Sequence, residues 1–232
     1  MFGERGLEAP LDEIARRAGV GNATLYRRFR TRGELVAAVF GEALRDVVAA
    51  TERALAIEDP WAAFAGHLTL LCERQAQNRA FADLLTATVS AVPELERLRT
   101  AAFGGLAALA ERARTAGVVR ADFRPEDLIP VLMANAGLVE RTCPTAPTAW
   151  RRQLAFILAG LRAPAGTPPG PEPPGPEPDD AGIRQAMHAI AERNGLTALD
   201  AEGDRPDRPE DPEGPDRPDG PEGPDGPVPA GS

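Results

Sequence analysis

The sequence predicts an all-α fold followed by a tail that does not fold, and three observations carry that reading. Over residues 1–162 the alternation of a half-buried strand is nearly absent, while apolar residues recur at spacings of three and four. Helix start and stop signals punctuate the same stretch, with Thr31, Asp59 and Pro125 at starts and Gly19 and Gly117 at ends. From Ala163 onward Pro, Gly, Asp and Glu dominate, in repeated "PEGPD" and "DRPD" elements.

Taken in order, the elements begin at Pro10. A proline suits a first helical turn, where its missing N–H costs nothing. A helix of about two turns then reaches Ala18, with Leu11, Ile14, Ala15 and Ala18 on one face, and Gly19 suits the left-handed residue that ends it. After Gly21 a second short helix runs to Phe29, burying Leu25 and Phe29. Thr31 and Glu34 form a capping box that opens a long helix fading near Ile57. Its apolar residues Leu35, Val36, Val39, Phe40, Leu44, Val47 and Val48 cover a face wide enough to pack on two sides.

Asp59-Pro60 is a cap with proline at the first helical position, ahead of Trp61, Phe64, Leu68, Leu71 and Cys72. "RAFADLLTATV" is another helix, stopping before Pro93. The next helix starts at Pro93 and closes at Gly117, with Leu95, Leu98, Phe103, Leu106 and Leu109 inward. Its Gly104-Gly105 pair reads as a kink, a close approach or drift. A helix from Pro125 contains Pro130, which bends its first turns. After the loop "CPTAPT", a last helix lines Trp150, Leu154, Ile157, Leu158 and Leu161 on one stripe. Eight helices and no sheet are expected before the tail.

Composition divides the chain in the same place. The net charge is -9, but residues 163–232 hold 16 acids and 5 arginines, for -11, which leaves +2 for residues 1–162. The tail cannot bury enough apolar surface to offset chain entropy and is expected to be disordered. Its one amphipathic island, "GIRQAMHAIAERNG", places Ile183, Met187 and Ile190 on one face, and a helix of that length is only transient alone. There is no lysine at all, which reads as coding bias, so the position of each arginine matters more than the count.

Several classes of function are set aside. Cys72 and Cys143 match no metal or redox spacing and read as reduced thiols. No apolar run approaches the ~20 residues that span a bilayer, and "MFGERGLEAP" lacks the apolar core of a signal peptide, so a soluble cytoplasmic protein is expected. There is no glycine-rich phosphate loop and no metal-ligand cluster, and the only histidines are His67 and His188. Acid pairs such as Glu58/Asp59 and Glu126/Asp127 sit at helix starts, where they complement the helix dipole. No enzyme, cofactor or metal is expected.

Against this background "IARRAGVGNATLYRRF", residues 14–29, has four arginines and no acid. Two short helices joined by a glycine turn read as helix-turn-helix, whose second helix enters the major groove of DNA. Asn22, Ala23 and Thr24 are small or polar enough to approach base edges, Tyr26 offers a hydroxyl to a phosphate, and Arg27 and Arg28 supply charge. Thr31 and Arg32 add a helix N-terminus, which suits a phosphate.

The segment "LDEIARRAGVGNATLYRRFRTRGELVAAVF" resembles the DNA-binding domain of the TetR family of bacterial transcriptional repressors. Ile14, Ala15, Ala18, Gly19, Val20, Thr24, Leu25, Tyr26, Phe29 and Leu35 fall in register with the family frame. The resemblance implies a homodimeric regulator of a double-stranded DNA operator, released by a small-molecule effector. It implies a head over residues 1–45, a ligand-binding and dimerisation domain over 46–162, and the tail over 163–232. Thr24, Tyr26 and Arg32 would contact phosphate, while Asn22, Ala23 and Arg27 face bases. The pocket would draw on Trp61, Phe64, His67, Leu68, Phe81, Leu85, Phe103 and Met133, a set that suits a hydrophobic effector. The dimer face would use Ala134, Gly137, Leu138, Leu154, Ala155, Leu158 and Ala159 of the last two helices.

The chain departs from that pattern in three ways. Ala9 and Pro10 stand where the family carries a Ser or Thr, and Gly21 replaces a serine N-cap. "MFGERGLEA" corresponds to the end of the family's first helix, so either the true start lies upstream or the head is truncated, which would leave Ile14, Leu25 and Phe29 poorly covered. The alternative function is a dimeric helical ligand-binding protein that has lost DNA binding. The acidic tail is either inert or a competitor with DNA for the arginine-rich head.

Overall fold

Helix follows helix wherever the chain is described. The computed structural model describes residue 7 and residues 9–87, 92–143, 145–163 and 180–194. Among these residues there are nine α-helices and no strand. They are α1 Leu11–Arg17, α2 Asn22–Arg28, α3 Arg32–Leu55, α4 Pro60–Gln77, α5 Arg79–Thr86, α6 Pro93–Thr115, α7 Leu128–Thr142, α8 Ala149–Leu161 and α9 Asp180–Arg193. A 3-10 turn, Pro125–Asp127, precedes α7. The described residues all lie within one compact unit, Met1–Leu199.

Side-chain caps shape the elements, at Asp59 and Thr31 as expected from sequence and also at Asn78. Asp59 Oδ1 accepts from the Trp61 and Ala62 amides at 2.9 and 3.3 Å and opens α4. Asn78 does the same for α5 through the Phe81 amide at 3.2 Å. Thr31 Oγ1 accepts from the Glu34 amide at 3.1 Å, and the Glu34 carboxylate accepts from the Arg30 amide, one residue earlier than a capping box requires. Gly19 and Gly117 both take φ +70°. Pro10 occupies the cap position of α1 with extended backbone instead of its first turn. Pro130 is the third residue of α7, so its missing N–H is one of those the first turn leaves without a helical partner.

The core runs along α3, α4 and α6, with α3 packed chiefly on α6. Phe40, Leu44 and Val47 from α3, Phe64 and Leu68 from α4, and Leu95, Leu106 and Leu109 from α6 are buried together. Val39, expected in that interface, is 48% exposed, so α3 buries a narrower face than its composition suggests. At the far end of α3 the Arg112 guanidinium donates to the Leu55 and Ile57 carbonyls at 2.7 and 2.5 Å, which satisfies backbone groups the helix end leaves open.

A second layer, α7 and α8, covers α4 and α5. Its contact with α4 carries a buried polar cross-link. Asn135 Nδ2 donates to Gln75 Oε1 at 2.7 Å and to the Cys72 carbonyl at 3.3 Å, while Gln75 Nε2 donates to the Leu132 carbonyl at 3.2 Å. The end of α8 is clipped to the loop after α6 by a single antiparallel bridge between Val119 and Arg162.

The tail island, expected to be only transiently helical alone, is helix α9. It docks on α5, with Met187 and Ala191 buried. An isolated segment of that length is marginal, and the tertiary contact supplies the stabilisation that local propensity lacks. The remainder of the tail, expected to be disordered, lies outside the described residues.

Candidate nucleic-acid interface

The turn between α1 and α2 is built by backbone bonds around Gly19. The Val20 amide donates to the Ala15 carbonyl at 3.0 Å and the Gly19 amide to the Arg16 carbonyl at 3.2 Å, the two bonds of a Schellman motif. Gly21 then caps α2 through its carbonyl alone, accepting from the Thr24 and Leu25 amides at 2.9 and 3.1 Å. Leu25 is buried, and Ile14, Tyr26 and Phe29 are half-buried against the core, which orients α2 with its other face outward.

That outward face presents Asn22, Ala23, Thr24, Arg27 and Arg28, all exposed. Asn22 Nδ2 donates to Asp12 Oδ1 of α1 at 2.7 Å, which ties one of its N–H donors to the bracing helix. Arg27 Nη2 reaches Thr24 Oγ1 at 3.4 Å, and the Arg28 guanidinium lies 5.7 Å from the Phe29 ring centre. Arg16, Arg17 and Arg30 are exposed beside them. The head therefore carries exposed arginines on α2 and on the segments to either side of it.

Tyr26, Thr31 and Arg32 are placed differently, each half-buried. Thr31 Oγ1 is the cap of α3. Arg32 Nη1 donates to the Leu7 and Ala9 carbonyls at 2.5 and 3.0 Å, so this guanidinium fastens the chain ahead of α1 to the start of α3.

The residues singled out for a pocket stand in three settings. Phe64, His67, Leu68, Phe81 and Leu85 are buried core residues. The Phe64 ring packs edge-on to Trp61 and tilted against Phe123, at 6.4 and 6.0 Å between centres. Trp61 and Phe103 are half-buried under the Arg162 and Arg99 guanidinium groups. Met133 lines a separate cleft of about 260 Å³ between α5, α7 and α9.

His67 and Cys72 are buried titratable groups of this core. His67 Nε2 lies 3.0 Å from Thr51 Oγ1, and the Thr51 hydroxyl donates to the Val47 carbonyl at 3.0 Å. With the hydroxyl proton directed to Val47, Nε2 carries a hydrogen and donates to Thr51 Oγ1, which in the neutral ring is the Nε2–H tautomer. Burial lowers the His67 pKa from 6.5 to about 4. Burial also pushes the Cys72 thiol up to about 12, so it stays protonated and unreactive. Among the described residues no group of three or more His, Cys, Asp or Glu could hold a metal, and no helix is long and apolar enough to cross a membrane.

On α7 and α8, Ala134, Ala155 and Ala159 are exposed, while Gly137, Leu138 and Leu158 are half-buried. Leu154, at 4% exposure, belongs to the interior of its own chain. Sequence reasoning passed over Phe156, which is 64% exposed beside Ala155 and Ala159, with the Arg152 guanidinium 5.0 Å from its ring centre. Phe156 falls away from the Trp150–Leu154–Leu161 stripe, a weak sequence signal that it faces outward.

Residues 1–39 match the family described as bacterial regulatory proteins, tetR family. Residues 59–163 match the C-terminal domain of the SbtR-like transcriptional regulators. The TetR transcriptional regulator SCO0520 from Streptomyces coelicolor is 32% identical, with 71% of this chain and 93% of that one covered and a TM-score of 0.48. The TetR family regulator PfmR from Thermus thermophilus is 25% identical, with 69% and 93% covered and a TM-score of 0.46. No curated protein matches the chain.

Proposed function

This chain belongs to the TetR family of bacterial transcriptional regulators, and from that premise we propose that it is a homodimeric repressor, released from its operator by a small-molecule effector. The observation that carries the proposal is the outward face of α2, where Asn22, Thr24, Arg27 and Arg28 stand exposed on a helix anchored by Leu25. Two such helices in a dimer would enter successive major grooves of a roughly palindromic site. Ala23 is small enough to allow close approach, Arg27 reads base edges, and Thr24, Tyr26 and Arg28 hold the backbone. Thr31 and Arg32 contribute the start of α3, with Arg32 acting chiefly by holding Leu7 and Ala9 in place.

The domain division follows, with a head over residues 1–45, a ligand-binding and dimerisation domain over 46–162, and a tail from 163. The dimer forms through α7 and α8, with Phe156 as an apolar anchor among Ala155 and Ala159. A regulator of this kind acts in the cytoplasm, where its DNA is. The effector shifts the head geometry through a coupling of ~1–3 kcal/mol.

The test is operator binding by Arg27→Ala and Tyr26→Phe, each with its oligomeric state checked. Arg27→Ala is expected to weaken binding by ~1–3 kcal/mol, and Tyr26→Phe by less, with the dimer intact in both. Unchanged affinity in both variants would remove α2 from the groove and favour a dimeric ligand-binding protein without DNA binding.

A further inference from the structure

Helix α9 lies beyond residue 163, where the match to the SbtR-like C-terminal domain ends, yet it is seated on the body of the molecule. Ile190 and Asn194 at its end share one cleft with Ala82, Asp83 and Thr86 of α5 and with Met133 of α7. Residues 79, 82, 83 and 86 recur at three and four, so they are one face of α5. That face also holds the DNA-reading head. Asp83 Oδ2 accepts from the Leu7 amide at 3.0 Å, and the Leu7 carbonyl accepts from Arg32 Nη1 at the start of α3. At the entrance to α6, Val92 lies so close to the head that a Cβ on Gly33 would come within 2.5 Å of its Cγ2.

We propose that α9 is an intramolecular strap that keeps α5 and Asp83 in the position that anchors Leu7, and so sets how firmly the head is held. The joint is built to be released. Among the described residues only Met187, Ala191 and Asn194 of this segment are buried, a small interface for a fourteen-residue helix. Two polar atoms buried at the joint, Arg79 Nε and Asn194 Oδ1, have no hydrogen-bond partner. Both regain water when α9 lifts away, which offsets part of the cost of re-exposing Met187 and Ala191. A strap that is held this lightly can be lifted by anything that binds the apolar face of α9, without disturbing the core of α3, α4 and α6. The strap rests on the DNA-regulator reading only in what the head does.

The test is residue-resolved amide hydrogen exchange on the full chain without DNA, so its outcome is independent of whether an operator exists. The variant is Met187→Asp/Ala191→Asp, which places two carboxylates in the buried face of α9. Amides 180–193 are expected to lose protection, and the Leu7 amide and amides 79–86 to exchange about tenfold faster, while the interior of α3 and α6 keeps its protection. Loss of protection in α9 with Leu7 unchanged would overturn the proposal. Retained protection in α9 would overturn it too, since the helix would not be docking through this face. Deprotection of the whole chain would make α9 part of the core instead of a strap, and the proposal would fall in that case as well.

Discussion

Gly104 and Gly105 sit side by side in α6, one facing open space and the other facing Thr51. A Cβ on Gly105 would run into the Thr51 side chain, and that side chain cannot turn away, because its hydroxyl is tied to the Val47 carbonyl and to His67. Gly105→Ala is therefore expected to lower stability by ~1–3 kcal/mol through overpacking, and Gly104→Ala to raise it by up to ~1 kcal/mol through helix propensity. Urea unfolding of the two variants checks the contrast. Of the readings open from sequence, Gly105 takes the close approach, which no single-helix pattern can distinguish from a kink.

His67 gives a pH dependence with a definite sign. Its folded pKa, about 4, lies below the ordinary 6.5, so between those values the unfolded chain binds the proton that the folded chain refuses. This contribution to stability is fully present above pH 6.5 and is lost as the pH falls toward 4. Urea midpoints measured from pH 7 to pH 4 should fall in the parent protein, and less steeply in His67→Gln.

At the scale of elements, what the sequence made legible was whatever is decided locally. Asp59 before Pro60, Thr31 ahead of Glu34, and glycines at 19 and 117 announce helix ends through bonds that span two to five residues. The replacement Asp59→Ala is expected to cost ~1 kcal/mol, since the Trp61 and Ala62 amides lose their acceptor, and a lowered Tm reports it. Elements that depend on a distant partner were harder to read. Asn135 and Gln75 are polar and would be placed outward by pattern, yet they satisfy each other in the interior across two helices. The α9 island lacks the length to be stable alone, and nothing local indicates that α5 receives it. Phe156 is hard to single out because the buried stripe of α8 is the stronger pattern. As the most exposed large apolar side chain of the described residues, it is expected to anchor the partner chain, so Phe156→Asp should convert dimer to monomer in sedimentation equilibrium without lowering helicity.

For the whole molecule, charge and architecture point in one direction. Residues 1–162 carry +2 and the tail -11, so a chain that is acidic overall still presents an arginine-rich head. The helix-turn-helix head was readable because ten residues of a thirty-residue frame fell in register, and its second helix buries only Leu25. A ligand pocket leaves no comparable sequence pattern, since aromatic residues at helical spacing serve a packed core as well as they serve a ligand, and Phe64, Phe81 and Leu85 are buried.

The α1–α2 head is expected to grip DNA by neutralising phosphates while reading bases. That grip is tested most directly by titrating the full chain with the DNA flanking its own gene at a series of salt concentrations, beside a shuffled duplex of equal length. The account predicts tighter binding to the natural sequence, with an affinity that falls steeply and linearly in log–log form as salt rises. Binding that is insensitive to salt, or equal for the shuffled duplex, would contradict it.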